Sequence, residues 1–243
     1  MVAILEVTAE MTTGIDRDGY AVVDDVVTAG GVGELLRAIA AAEGRGPELR
    51  QKAGRVYAVR DLLSLVPAVR TLADSPEVRA LVEPVLGRGA RPVRGLLFDK
   101  TPGANWKVAW HQDLSIAVKR RIDVPGFGPW SVKAGVQHVQ PPVDVLENML
   151  TVRVHLDDCG PDNGPLKVLP GSHAAGVLRL SDVEALRSGR EPVACCVRAG
   201  GAVVMRPLLL HASSSATRPG HRRVVHLEYA TGELPHGLEW DAA

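Results

Sequence analysis

Along residues 31–43, GVGELLRAIAAAE, apolar side chains recur at steps of three and four, so that Leu35, Leu36, Ile39 and Ala40 share one face of a helix. A second helical segment, SPEVRALVEPVLG, opens with Ser75 as an N-cap and Pro76 at the first helical position, and Gly87 supplies its stop. Ahead of both, GYAVVDDVV reads as a short strand and turn. From about residue 92 the texture changes. Short apolar runs broken by Gly, Pro, Asn and Asp predict strands at VRGLLFDK (93–100), VAWHQDLSI (108–116), MLTVRVHLDD (149–158), GPLKVLPGSH (164–173), GAVVMRPLLLHAS (201–213) and RRVVHLEYA (222–230). Residues 117–148 interrupt this series as a long irregular insert, and its Phe127 and Trp130 predict a packed lid rather than a disordered tail. The expected fold is mainly β with a helical buttress, a sandwich or barrel. It is expected as one domain over 1–243, with 15–90 mostly helical and 91–232 forming the strand-rich core.

Composition narrows the classes of function. Apolar residues make up 46% and charged residues 23%, a globular balance, and the formal net charge of zero gives no reason to expect nucleic acid or an anionic membrane as partner. No apolar run of about 18 residues occurs, so no membrane helix is expected. The opening MVAILEVTAEMTT lacks the basic start of a signal peptide. The cysteines are Cys159, Cys195 and Cys196, an odd set with an adjacent pair, which is a poor disulfide framework and points to a reducing cytoplasm. The expected partner is a small molecule, with the chain a monomer or homodimer.

The chemistry concentrates in AWHQDLS (109–115). His111 and Asp113 stand two apart in an apolar segment. They could be the polar face of a surface strand, a hydrogen-bonded pair, or two ligands of one metal. In a strand, residues i and i+2 project from the same face. One imidazole and one carboxylate suit iron, manganese or zinc, and a third ligand is then needed. Among the remaining histidines His211 is the best candidate. It closes the apolar run VVMRPLLLH, and Arg222 follows on the next strand, which a hairpin would lay alongside.

These residues carry a resemblance. WHQD (110–113), NGPLKVLPGSH (163–173), HAS (211–213) and Arg222, with the opening DGYAVVDD, resemble the phytanoyl-CoA dioxygenase family of iron(II)- and 2-oxoglutarate-dependent oxygenases over about residues 15–230. The resemblance implies a double-stranded β-helix, the cupin-like jelly roll, with N-terminal helices. It implies His111, Asp113 and His211 as iron ligands, and Arg222 with Ser213 as holders of the far carboxylate of 2-oxoglutarate. Gln112 would border the cosubstrate, and Leu96 and Arg153 would fall on strands lining it. Arg153 departs from the bulky, often aromatic residue usual near that place. The activity implied is hydroxylation of a small organic molecule using O2, with release of succinate. Halogenating relatives carry a small residue at the position of Asp113, so the carboxylate here points away from halogenation.

Chemistry agrees with these roles. Two histidines and a carboxylate occupy one face of an octahedral ion and leave three positions open. The planar guanidinium of Arg222 matches a carboxylate with two hydrogen bonds. On the strand at 149–156, Leu150, Val152, Val154 and Leu156 alternate with Thr151, Arg153 and His155, so one face is apolar and the other polar; the resemblance implies that the polar face looks into the barrel. A buried arginine needs a partner, which could be the near carboxylate of the cosubstrate, a substrate anion or a neighbouring acid. His226 is either a neighbour supporting the site or a core histidine. His173, after the Pro170-Gly171 turn, is expected to be structural, and Lys119-Arg120-Arg121 a solvated face. The competing classes are a non-catalytic jelly roll that binds a metal or small ligand, and a zinc hydrolase on the same three residues. The latter leaves Arg222 unexplained. His-Glu-x-x-His, P-loop and Gly-x-Ser-x-Gly patterns are absent.

Overall fold

A computed structural model describes residues 2–42, 49–52, 55–59 and 61–241. Its elements are α1 (Val2–Asp18), β1 (Tyr20–Val23), α2 (Ala29–Ala42), β2 (Leu49–Lys52), β3 (Arg55–Val59), α3 (Leu62–Leu65), α4 (Pro67–Ala73), α5 (Pro76–Leu86), β4 (Arg91–Lys100), β5 (Val108–His111) and β6 (Ile116–Val118). There follow β7 (Trp130–Lys133), β8 (Val136–Val139), α6 (Val143–Glu147), β9 (Met149–His155), β10 (Leu166–Val168), α7 (Leu180–Arg187), β11 (Val193–Cys195), β12 (Ala202–Met205), β13 (His211–Ser213) and β14 (Arg222–Ala230).

The strands form a seven-stranded sheet in the order β1-β12-β9-β14-β4-β3-β2 and a four-stranded sheet in the order β11-β10-β13-β5. All the pairings in them are antiparallel. The large sheet explains the alternation read from the sequence. Leu150, Val152 and Val154 of β9 and Val225 and Leu227 of β14 form one core with Ile15, Leu35, Val69 and Val82 of the N-terminal helices. Each such buried side chain contributes roughly 1.5–3 kcal/mol. The other face of β9, Thr151, Arg153 and His155, is equally buried but turns towards the small sheet. Every residue of β9 is therefore buried, with Leu150, Val152 and Val154 towards the helices and Thr151, Arg153 and His155 inward. Helix α5 begins as expected, with Ser75 Oγ accepting from Val78 N and Pro76 in the first turn.

Three expectations need correction. The run 108–116 is two strands, β5 and β6, and the chain leaves the sheet between them. The run 201–213 is likewise β12 and β13, so His211 opens a strand instead of closing one. β13 and β14 are not a hairpin: β13 pairs with β10 and β5, and β14 with β4 and β9, in different sheets. Residues 117–148 are also more ordered than expected. They supply β7, β8 and α6, and β6-β8-β7 form a third sheet. Phe127 and Trp130 anchor this segment by packing with Ile116, Val139, Leu146 and Met149.

Candidate metal and 2-oxo acid site

A cavity of about 390 Å3 lies between the two main sheets. β5 and β13 are cross-strand neighbours, with His111 directly opposite His211. Their rings lie 4.2 Å apart between centroids. Asp113 sits beyond the end of β5, where its backbone N–H donates to Pro207 O at 2.9 Å. The carboxylate thus reaches the histidines from a loop and not from the strand face assumed above. His111 Nε2 is 3.7 Å from Asp113 Oδ1, and His211 Nε2 is 3.6 Å from Asp113 Oδ2. One donor atom from each residue falls within 4.8 Å of the other two.

The hydrogen bonding around the trio fits a metal. Each histidine places Nδ1 2.8 Å from a backbone carbonyl two residues earlier, Ala109 O for His111 and Leu209 O for His211. Carbonyls only accept, so both Nδ1 atoms carry the proton and both Nε2 lone pairs face the carboxylate. Asp113 Oδ2 is buried with no hydrogen-bond partner, a costly arrangement unless a cation meets it. Burial pushes the His211 pKa down to about 4, so the imidazole is neutral at pH 7. Burial would raise the Asp113 carboxyl, but His211, His226, His111 and Arg153 outweigh it and hold it at about 2. These are the protonation states that metal binding requires.

The other end of the cavity is cationic. Arg222 is 4% exposed; its Nη1 donates to Gly164 O and its Nε is buried without a partner. Its neighbour Arg223 points the other way and is bound to both oxygens of Asp157. Ser213 and Leu96 line the same cavity. Arg222 reaches the cavity from the sheet opposite His211.

Sequence reasoning overlooked Lys100. It is 1% exposed, pairs across the sheet with Arg222, and donates from Nζ to Ser213 Oγ at 3.1 Å and Ser214 O at 2.6 Å. A signal existed: Lys100 keeps the two-residue step of Leu96 and Phe98 along β4, hence the same face. Gly164 closes this end. Its φ of +62° is left-handed, and a Cβ there would fall 2.6 Å from Ser214 O and 3.3 Å from Lys100 Nζ.

Gln112 lines the cavity, but its side-chain amide is used on backbone groups. Nε2 donates to Gly176 O at 2.8 Å and Leu208 O at 2.7 Å, and Oε1 accepts from Leu178 N at 2.8 Å. It ties the chain before α7 to the loop that carries Asp113. His173 is structural, with Nε2 3.3 Å from Asp16 O. Lys119 and Arg121 are exposed and paired with Glu239 and Asp123.

Antiparallel sheets enclosing a cavity with two histidines and one carboxylate, His211 buried and His111 and Asp113 part-exposed, define the class: a jelly roll with a facial metal-binding triad. The chain belongs to the phytanoyl-CoA dioxygenase (PhyH) family, whose sequence profile matches residues 15–224. It is 24% identical over 174 residues to the ectoine dioxygenase of Sphingopyxis alaskensis, a match covering 69% of this chain and 50% of that protein. The chain thus spans about half the length of that curated relative. Among solved structures it resembles AviO1 from Streptomyces viridochromogenes Tue57, with TM-score 0.68, 24% identity and coverage of 94% of this chain and 96% of that one. It also resembles SnoN, a non-haem alpha-ketoglutarate-dependent epimerase from nogalamycin biosynthesis, with TM-score 0.71, 21% identity and coverage of 94% and 85%. These structural likenesses establish the fold. Among the described residues no helix is long and apolar enough to cross a membrane.

Proposed function

We propose that this protein is an iron(II)- and 2-oxoglutarate-dependent dioxygenase that hydroxylates an unactivated C–H bond of a small organic molecule, an amino acid, acyl or natural-product intermediate. The overall balance is substrate, O2 and 2-oxoglutarate giving hydroxylated substrate, succinate and CO2. The observation that carries this reading is one cavity holding both the His111–Asp113–His211 donor set and the buried guanidinium of Arg222 with an orphaned Nε. Iron(II) held by those three residues would supply O2 activation coupled to decarboxylation of the 2-oxo acid.

The chain's own residues do the rest. Arg222 offers a buried cation to the far carboxylate, Lys100 adds its charge from behind Ser213, and Ser213, which accepts from Lys100, keeps its own hydroxyl proton to donate. Leu96, Phe98 and Leu166 line the cavity between its ends and keep water from a reactive centre. Asp113 fills the position that a halide would need and repels it, which favours hydroxylation over halogenation. A zinc hydrolase leaves the buried Arg222 unexplained, and a retired, non-catalytic site has no need of the triad and Arg222 together. At about 390 Å3 the cavity holds 2-oxoglutarate and a compact substrate.

The test is anaerobic spectroscopy. Purified protein given iron(II) and then 2-oxoglutarate should develop a visible metal-to-ligand charge-transfer band. His211→Ala should abolish it, and O2 should then yield succinate. Absence of the band in the unmutated, iron-loaded protein would refute the proposal.

A further inference from the structure

With the cavity read as a 2-oxo acid site, one buried charge still has no task. Arg153 is 8% exposed, and among the described residues no carboxylate lies within the 4.0 Å of an ion pair. Its hydrogen bond runs from Nη1 to Nδ1 of His226 at 2.7 Å, and its Nε is buried with no partner. An arginine can only donate, so His226 Nδ1 must accept. The His226 proton therefore sits on Nε2, which faces Glu228 Oε1 at 3.4 Å, and the same oxygen accepts from Arg94 Nη1 at 3.1 Å. Arg94 and Glu228 neutralise one another. The chain of contacts fixes the orientation of Arg153 and leaves its guanidinium without a carboxylate at ion-pair distance; the acid whose charge acts on it is Asp113, one of the candidate metal ligands.

The cross-strand register says where along the cavity that charge lies. Arg222 pairs with Lys100, Val224 with Phe98, His226 with Leu96 and Arg153, and Glu228 with Arg94. The inner face is thus a ladder. It has a cationic rung at Lys100 and Arg222, a rung of Phe98, Val224 and His155, a rung of Leu96, His226 and Arg153, and an ion pair at the far end. The guanidinium carbon of Arg153 lies 5.8 Å from the Phe98 ring, on the rung nearer Arg222. Arg153 therefore leans along the cavity towards Arg222, and the charges of both Arg222 and Asp113 act on it. A dianion held at Arg222 by one carboxylate and reaching the triad with its 2-oxo acid head passes beside it.

We infer that Arg153 grips the metal-side carboxylate of 2-oxoglutarate, so that an arginine holds the cosubstrate at each end. This rests on the 2-oxoglutarate reading above. Charge and position agree: two buried arginines, each with an orphaned Nε, match the two carboxylates of one dianion. Arg94, Glu228 and His226 are then positioning residues that aim the guanidinium.

Two probes separate the two arginines. 2-Oxoglutarate has both carboxylates; 2-oxobutyrate keeps the 2-oxo acid head and lacks the far one. Each is titrated anaerobically into the iron(II) protein, with affinity read from the charge-transfer band and by calorimetry. Arg153→Met should weaken both probes by a similar factor, about 10- to 150-fold, the worth of a charge-assisted hydrogen bond. Arg222→Met should weaken 2-oxoglutarate by a like factor and leave 2-oxobutyrate unchanged. Arg153→Lys keeps the charge, loses the planar fork, and should give an intermediate loss for both probes. It also serves if circular dichroism shows that the methionine variant misfolds. Unchanged 2-oxobutyrate affinity in folded Arg153 variants overturns the inference while the cosubstrate reading stands. Failure of the unmutated protein to bind either probe overturns both.

Discussion

Lys100 shows how much a single buried side chain can hold. Burial, and then the charge of Arg222, push its pKa down to about 8. Below that pH the ammonium is present to meet a carboxylate. Above it the free protein has lost the proton, and anion binding must first restore it. The affinity for 2-oxoglutarate should therefore fall as pH rises through about 8, and Lys100→Met should bind more weakly and lose that dependence. Titrations between pH 6.5 and 9.5 decide it; parallel profiles for the two proteins would remove Lys100 from the site. The facing of Arg222 and Arg223 was readable in advance, because neighbours on a strand face opposite sides. Lys100 was equally in step with Leu96, but a lysine ending an apolar strand ordinarily snorkels to solvent. What keeps it inside, Ser213 and the carbonyl of Ser214, lies more than a hundred positions along the chain.

At the scale of elements, local pattern succeeded where one face met the helices and failed where strands change sheets. The alternation in 149–156 and 222–230 gave β9 and β14 nearly residue for residue. The runs 108–116 and 201–213 are continuous in hydrophobicity, yet each is broken because the chain turns at the cavity rim. Asp113 N is taken by Pro207 O, a contact between the two breaks that no single-segment period reveals. The triad was legible all the same, because His111 and Asp113 converge either by strand parity or by a turn just past His111. The helical buttress has its own tight point at Gly95, on the outer face of β4. A Cβ there would lie 2.7 Å from Leu63 Cγ and 3.2 Å from the Leu63 backbone N, so α3 rests directly on the strand. Gly95→Ala should force α3 away and cost about 1–3 kcal/mol, as overpacking does. Urea unfolding followed by circular dichroism would show a lower midpoint; an unchanged midpoint would mean that α3 shifts freely.

For the molecule as a whole, the polar interior makes stability depend on acidity. His155 is 2% exposed on the inner face of β9, and neither ring nitrogen has a hydrogen-bond partner. Burial, with the charges of Arg153 and Arg222, pushes its pKa down to about 3; burial takes His211 to about 4. In the unfolded chain both titrate near 6.5. Between the folded and unfolded values the unfolded state binds more protons, so stability must decrease as pH falls from about 6.5 towards 3. His155→Leu removes one such titration and should flatten the pH dependence of the melting temperature over that window, while those of buried His211 and His226 remain. Metal ions add a second linkage. An ion bound by neutral His211 stabilises the fold by mass action, and that gain should itself fade on acidification as protons compete for the ligand. Melting curves from pH 7 to pH 4, with and without a divalent ion, separate the two effects. The His155 contribution persists in the metal-free protein, and the His211 contribution grows with metal concentration. If metal-free His155→Leu and the unmutated protein lose stability in parallel as the pH falls, His155 does not set the acid limit of this fold.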